Sequence, residues 1–469
     1  MDLLLDLDTG QGGVADRLYR QLSTAILGGR LHPGERLPPS RDLAAQLQIS
    51  RASVTLVYER LTAEGYCSAR VGAGTFVSTQ PVPAAPGRRN AGVAEPAAPA
   101  GESASPAYDF RAGVPDAALF PAAAWRRHLT RELDAHLARG ARYGDDAGPA
   151  LLRSGIAHHL GLARSVTVDS EGIVLTAGAT QAIDLIARVL LKPGDLVAVE
   201  DPGYPPVRAT LEAAGVRVIT MPVDAEGADP SALPAQTRLI YVTPSHQFPT
   251  GVVMSRARRL QLLEWASAHR AIIVEDDYDS EHRFHDRPLE PLHVLDAAGV
   301  VAYVGTFSKA LAPALRIGYV IPPDGLAPAL AAARTIADGG ADVVAQGALG
   351  RLIDSGEFAA HMRRVRRIYR ARHRVLTEQL AGDERLRLMP SSAGLHVCIG
   401  LPGRRPGASA QIQSAAAVAG VAIGTLPGYC TDSPREGLVL GFGSIPAEQI
   451  PDGIRLLRAA ARRTDTGRA

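Results

Sequence analysis

The sequence predicts an α/β protein of two unequal parts: a small helical N-terminal domain, then a large domain whose mostly parallel sheet carries helices on both faces. Three observations predict it. At 469 residues and 46% hydrophobic content, the chain exceeds what one core fills, which suggests two or three domains. Residues 79–106 are built of Ala, Pro, Gly and Ser with almost no large apolar side chain, the composition of a flexible, partly extended linker. Beyond it, short apolar runs at 173–176, 196–200, 239–243, 272–275, 301–305 and 317–321 alternate with longer helical patterns, as in a parallel sheet with crossover helices. The expected domains are 1–78 and 107–469, joined by 79–106.

In the first part, 14–27 reads as a helix with Val14, Leu18, Leu22, Ala25 and Ile26 along one side, stopped by Gly28 and Gly29. After a turn through His32, Pro33 and Gly34, Ser40 offers an N-cap to a short helix carrying Leu43, Ala44 and Leu47. Ser50 can cap a third helix from 51 to about 64, and the short break between these two is helix-turn-helix spacing. Val54, Val57, Tyr58 and Leu61 make an apolar stripe, which leaves Arg51, Ala52 and Ser53 on an exposed first turn suited to a major groove. Residues 67–69 and 75–78, around Gly72 and Gly74, read as a hairpin whose Arg70 can meet phosphate.

The runs GERLPPSRDLA at 34–44, Ser50-Arg51, YERL at 58–61, EGY at 64–66 and GTFV at 74–77 resemble the winged helix-turn-helix of the GntR superfamily. That resemblance implies DNA contacts by Arg41, Ser50, Arg51, Ser53, Arg70 and Gly72. Eight arginines against five acids between positions 14 and 78 agree with it.

In the large part the chemistry centres on a lysine. Only two of the fifty Lys plus Arg residues are lysines, Lys192 and Lys309. Arginine supplies a permanent cation but cannot act as a neutral amine nucleophile, so a Schiff base needs lysine. Lys309 sits in GTFSKALAPALRIG at 305–318. Thr306, Ser308 and Arg316 bracket it with two hydroxyls and a guanidinium that suit phosphate, and Gly178, Ala179 and Thr180, between a strand and a helix, supply backbone donors. Asp276 can hold a ring-nitrogen proton, Tyr278 can hydrogen-bond a ring oxygen, and Tyr204 offers an aromatic face. Most of these positions lie just past the carboxyl ends of predicted strands, where open α/β sheets bind ligands.

Together with TAGATQ at 176–181 and FPTG at 248–251, these runs resemble fold type I pyridoxal 5′-phosphate enzymes of the aspartate aminotransferase group, from about residue 108 to 457. The resemblance implies pyridoxal 5′-phosphate held as an internal aldimine on Lys309. It also implies that Tyr143 reaches the phosphate of a neighbouring subunit, and that His246 lies in the stretch where aminotransferases place an asparagine near the ring oxygen. One position departs from the pattern: Val439 stands where an arginine clamping the substrate carboxylate is expected, with Arg435 and Arg208 as the nearest substitutes.

A net charge of +2 excludes neither nucleic acid nor small-molecule partners. Cys67, Cys398 and Cys430 form no metal-ligand spacing, so neither a zinc site nor a disulfide framework is expected. Asp2, Asp6 and Asp8 stand in place of a basic export region, and no apolar stretch reaches the roughly eighteen residues of a membrane span; the expected location is the cytoplasm. DNA reader, linker and aminotransferase-like domain, in that order, resemble the MocR family of bacterial regulators. Membership implies a head-to-tail homodimer that binds promoter DNA and senses pyridoxal phosphate or an amino-compound effector. The alternatives are an active aminotransferase with an accessory DNA-binding domain, and a DNA-binding protein built on a dead enzyme fold.

Overall fold

The computed structural model describes residues 13–70, 72–78, 106–279, 281–284, 290–432 and 434–464. They fall into two compact units, one on each side of position 101. Apart from Pro106, the expected linker lies outside the described residues.

The first unit consists of helices Val14–Leu27, Ser40–Gln46 and Arg51–Ala63 and an antiparallel hairpin of Cys67–Arg70 with Gly74–Val77. Leu18 and Leu22 of the first helix, Leu43 of the second and Val54, Val57 and Leu61 of the third form one core, which Cys67 and Val77 complete. Fully burying one such leucine is worth roughly 1.5–3 kcal/mol. Val14 is exposed, so the buried side of the first helix begins one turn later than the pattern suggests. Ser40 is the first helical residue instead of its cap. Pro39, with φ −54° and ψ 140°, is the flanking residue, and its carbonyl accepts from the Asp42 and Leu43 N–H groups. Ser50 does cap: its Oγ accepts from the Ser53 N–H at 3.1 Å.

The second unit holds two sheets. In the larger the order is Val174–Thr176, Gly318–Ile321, Val301–Thr306, Ile272–Asp276, Thr237–Val242, Leu196–Asp201, Arg217–Asp224 and Gly227–Ala228. The pairings from Val301–Thr306 through to Arg217–Asp224 are parallel. Gly318–Ile321 is antiparallel to both of its neighbours. The smaller sheet joins Arg387–Leu388, His396–Gly400, Gly437–Gly441, Val421–Thr425 and Tyr108–Phe110. Its strands are short, and Tyr108–Phe110 pairs in parallel with Val421–Thr425 more than 300 positions away, a partnership that no local pattern announces.

Three consecutive acids close the central strand, and the pleat sends them to different places. The Glu275 carboxylate accepts the N–H groups of Leu292 and His293, both at 2.9 Å. Asp277 forms a buried ion pair with Arg164 at 2.9 Å and also accepts the Tyr303 hydroxyl. Asp276 lines the cavity described below. Replacing Arg164 by methionine would break this buried ion pair, so a loss of about 3 kcal/mol is expected in urea denaturation.

Candidate functional site

A cavity of about 290 Å³ opens at the carboxyl ends of the larger sheet's strands, near the lower end of the size of small-molecule pockets, roughly 300–1,000 Å³. Lys309, Asp276, Tyr278, Tyr204, Thr306 and Arg316 line it, as do Ala179, Thr180 and Ser308. The Lys309 Nζ donates to the Gly113 carbonyl at 2.8 Å. Burial holds its ammonium below the ordinary lysine range; Arg316 pushes the same way, and Asp279 and Asp276 oppose.

Asp276 shares one oxygen with the Tyr241 hydroxyl at 2.7 Å, while its Oδ1 is buried without a partner. Burial raises this carboxyl to about 7 from an ordinary 3.8, the Tyr241 bond opposes, and Asp277 and Asp279 add to the rise. Between about pH 4 and 7 the folded chain therefore keeps a proton here that the unfolded chain has released. This group makes the cofactor-free chain less stable as pH rises through that window. Urea midpoints of wild type and Asp276→Asn at pH 5 and pH 8 check the sign: the variant should gain on the wild type as pH rises.

At one end of the cavity Arg316, in the left-handed region at φ 49°, donates to the Ala177 carbonyl at 2.6 Å. Gly178, at φ 91°, lets it approach: a Cβ there would sit 3.0 Å from the guanidinium. Gly178 also precedes the helix Ala179–Leu190 and provides no side-chain cap, so the first N–H groups of that helix face an anion site beside Arg316. The Thr306 and Ser308 hydroxyls lie 2.9 Å apart nearby.

His246 is not among the residues lining the cavity. It is buried, with Nδ1 2.8 Å from Asp279 and 3.1 Å from the Tyr278 hydroxyl, which also donates to the His246 carbonyl at 3.0 Å. It holds Tyr278, and Phe248 of the same stretch lines the cavity instead. Tyr143 is 93% exposed and does not line the cavity of its own chain. The sequence reasoning missed Tyr241, Asp279, Gly113 and His396; only Asp279, two positions past the Asp276/Asp277 pair, carried a local signal.

In the first unit the Arg51 Nε lies 3.5 Å from the Ser40 Oγ, which places the starts of the second and third helices side by side. Arg41, Ser50 and Arg51 are exposed there. In the hairpin Arg70 lies over the Phe76 ring at 4.9 Å, and Gly72 takes φ 78° in the turn. Arg36, absent from the sequence-derived set, comes close to the same hairpin: a Cβ on Gly74 would meet its Nε at 2.9 Å.

Residues 14–77 match the gntR family of bacterial regulatory proteins, and residues 109–428 match aminotransferase class I and II. The chain is 35% identical to the probable rhizopine catabolism regulatory protein MocR of Rhizobium meliloti, over 95% of this chain and 93% of that one. It is 34% identical to the uncharacterized HTH-type transcriptional regulator YhdI of Bacillus subtilis, over 95% of each. The chain belongs to the MocR family. As a member it is a DNA-binding transcriptional regulator with an aminotransferase-like domain. Among solved structures, kynurenine aminotransferase from Pyrococcus horikoshii superposes with a TM-score of 0.70 at 29% identity, covering 77% of this chain and 92% of that one.

The cavity of this MocR-family regulator fits the pyridoxal group that such a fold implies. A primary amine, an orphaned buried carboxylate oxygen and an anion seat face one space, and each suits a different part of that molecule. Among the described residues, no arginine takes the place of an aminotransferase's carboxylate clamp in the cavity. Val439 is buried in the strand Gly437–Gly441 beside Cys398 and Leu426. Arg208 pairs with Glu212 at 3.2 Å, and Arg435 donates to the Val223 carbonyl at 2.9 Å. Among the described residues lining the cavity, Arg316 is the one arginine. No described helix is long and apolar enough to cross a membrane.

Proposed function

We propose that the large domain holds pyridoxal 5′-phosphate covalently through Lys309 and responds to an amino compound or to the vitamer itself, while the small domain reads operator DNA. The observation that carries this is the pairing of the Lys309 amine with the unpartnered Asp276 oxygen in one cavity. When bound, the group supplies an aldehyde that exchanges reversibly between amines.

The chain's own residues do the rest. Burial enlarges the neutral fraction of Lys309, which is the nucleophilic form. Arg316, Thr306, Ser308 and the start of the helix Ala179–Leu190 hold the phosphate. Asp276 would hold the proton of the ring nitrogen, Tyr278, positioned by His246, would turn its hydroxyl from the His246 carbonyl to the ring oxygen, and Tyr204 would supply an aromatic surface for the ring. Val439, buried in its strand where the clamp arginine is expected, favours sensing over turnover. A head-to-tail dimer belongs to this reading. Tyr143, at 93% exposure, is free to reach the phosphate site of a second copy.

The test is to add pyridoxal phosphate to the cofactor-free chain, reduce with borohydride and map the modified peptide. Modification at Lys309 is expected; an unmodified chain that stays colourless sinks the proposal. For the small domain, Arg51→Ala is expected to weaken specific operator binding by about 1–3 kcal/mol while leaving cofactor absorbance unchanged. Unaltered affinity in a gel-shift titration would contradict the assignment.

A further inference from the structure

A second cleft, of about 1050 Å³, opens against the helix Glu357–Leu380, the strand Arg387–Leu388 and the Gly400 end of His396–Gly400; none of its lining residues is shared with the cofactor cavity. We propose that it binds an organic anion, a carboxylate or phosphate group carried on an apolar body.

The charge balance is the first reason. Arg370, Arg374, Arg387 and Arg435 line the cleft. Among the described residues, Arg370 and Arg387 have neither an ion pair nor a side-chain hydrogen bond. Arg374 has only a 3.9 Å approach to Glu378, and Arg435 uses one nitrogen on the Val223 carbonyl. Among the described residues Glu436 is the single lining carboxylate, and neutral donors occupy both of its oxygens: one accepts the Gly407 N–H at 2.7 Å, and the other accepts the Ser409 N–H and hydroxyl. Four guanidinium groups thus face one carboxylate among the described residues lining the cleft. Their planar donors suit a carboxylate or phosphate.

The lining between them is the second reason. Phe284, Leu388, Met389, Leu401 and Leu426 provide an apolar surface. A bare inorganic anion would leave it wetted, whereas an anion with an aromatic or aliphatic body buries it, the usual division of labour in small-molecule sites. The cleft is also joined to the cofactor cavity through the chain. Met389 and Ser391 line the cleft, Leu395 and His396 line the cavity, and between them Gly394 packs so tightly that a Cβ would meet the His246 ring and the Asp279 carboxylate within 2.5 Å.

The experiment titrates full-length wild type and Arg370→Glu/Arg387→Glu with 8-anilinonaphthalene-1-sulfonate, an apolar-bodied anion read by fluorescence. Protein loaded with pyridoxal phosphate and reduced by borohydride keeps the probe out of the first cavity. Wild type is expected to show one saturable site, weakened at least tenfold in the double variant. Phenyl phosphate or benzoate should displace the probe at least tenfold better than inorganic phosphate or benzyl alcohol, and the stronger of the two identifies the anionic group. Arg370→Gln/Arg387→Gln, with unchanged circular dichroism, should move affinity the same way, which separates binding from misfolding. Equal probe affinity in wild type and variants overturns the proposal, as does competition by inorganic phosphate as strong as by phenyl phosphate. Loss of operator affinity with probe binding intact overturns it too, and assigns these arginines to nucleic acid.

Discussion

Lys309→Ala is expected to abolish the absorbance band that wild type acquires with pyridoxal phosphate, together with all borohydride-stable labelling and every effector response. Operator binding by the cofactor-free chain should persist, because the small domain has its own core of residues between Leu18 and Val77. Arginine at 309 should fail equally: it restores the charge but not an amine that can lose its proton. Lys192 supplies the control. It is exposed, follows the helix Ala179–Leu190 and does not line the cavity, so Lys192→Ala should leave the band intact. A Lys309→Ala protein that still changes its operator affinity with effector would show that covalent capture is not the signal.

The second large effect belongs to Asp276→Ala. Truncation removes the acceptor of the Tyr241 hydroxyl and the carboxylate proposed to face the ring nitrogen. Losing one partner of a buried charge-assisted pair costs about 3 kcal/mol or more, so cofactor affinity should fall by roughly a hundredfold or more. Tyr241→Phe keeps the carboxylate and loses one neutral donor, so about 1 kcal/mol is expected. Equilibrium titration of cofactor into each variant measures both. Equal affinities for wild type and Asp276→Ala would remove Asp276 from the site.

The sequence disclosed most about positions whose chemistry is local. The third helix of the small domain, with its Ser50 cap and its stripe of Val54, Val57 and Leu61, follows from spacing alone. Lys309, Asp276 and Tyr278 stood out because strand ends collect ligands and because one lysine among many arginines needs a reason. Tyr241 was illegible: it sits inside an apolar run and reaches Asp276 only because the strands Thr237–Val242 and Ile272–Asp276 are neighbours. Gly113 was hidden by distance, touching Lys309 from 196 positions away. His246 attracted attention by its place near FPTG, but the fold turns it behind Tyr278, where it contacts that phenol directly and is itself held by Asp279. The smaller sheet escaped because its strands are brief and far apart in the chain.

The hydrogen bond from Lys309 to Gly113 has a mechanical side. Gly113 lies three residues past the strand Tyr108–Phe110, the first element of the large domain on the path leading out of the DNA reader. On the proposed reading, capture of the lysine nitrogen would release the Gly113 carbonyl from this hydrogen bond. On the proposed reading, chemistry at the amine would thus be felt at the entrance strand of the large domain, Tyr108–Phe110.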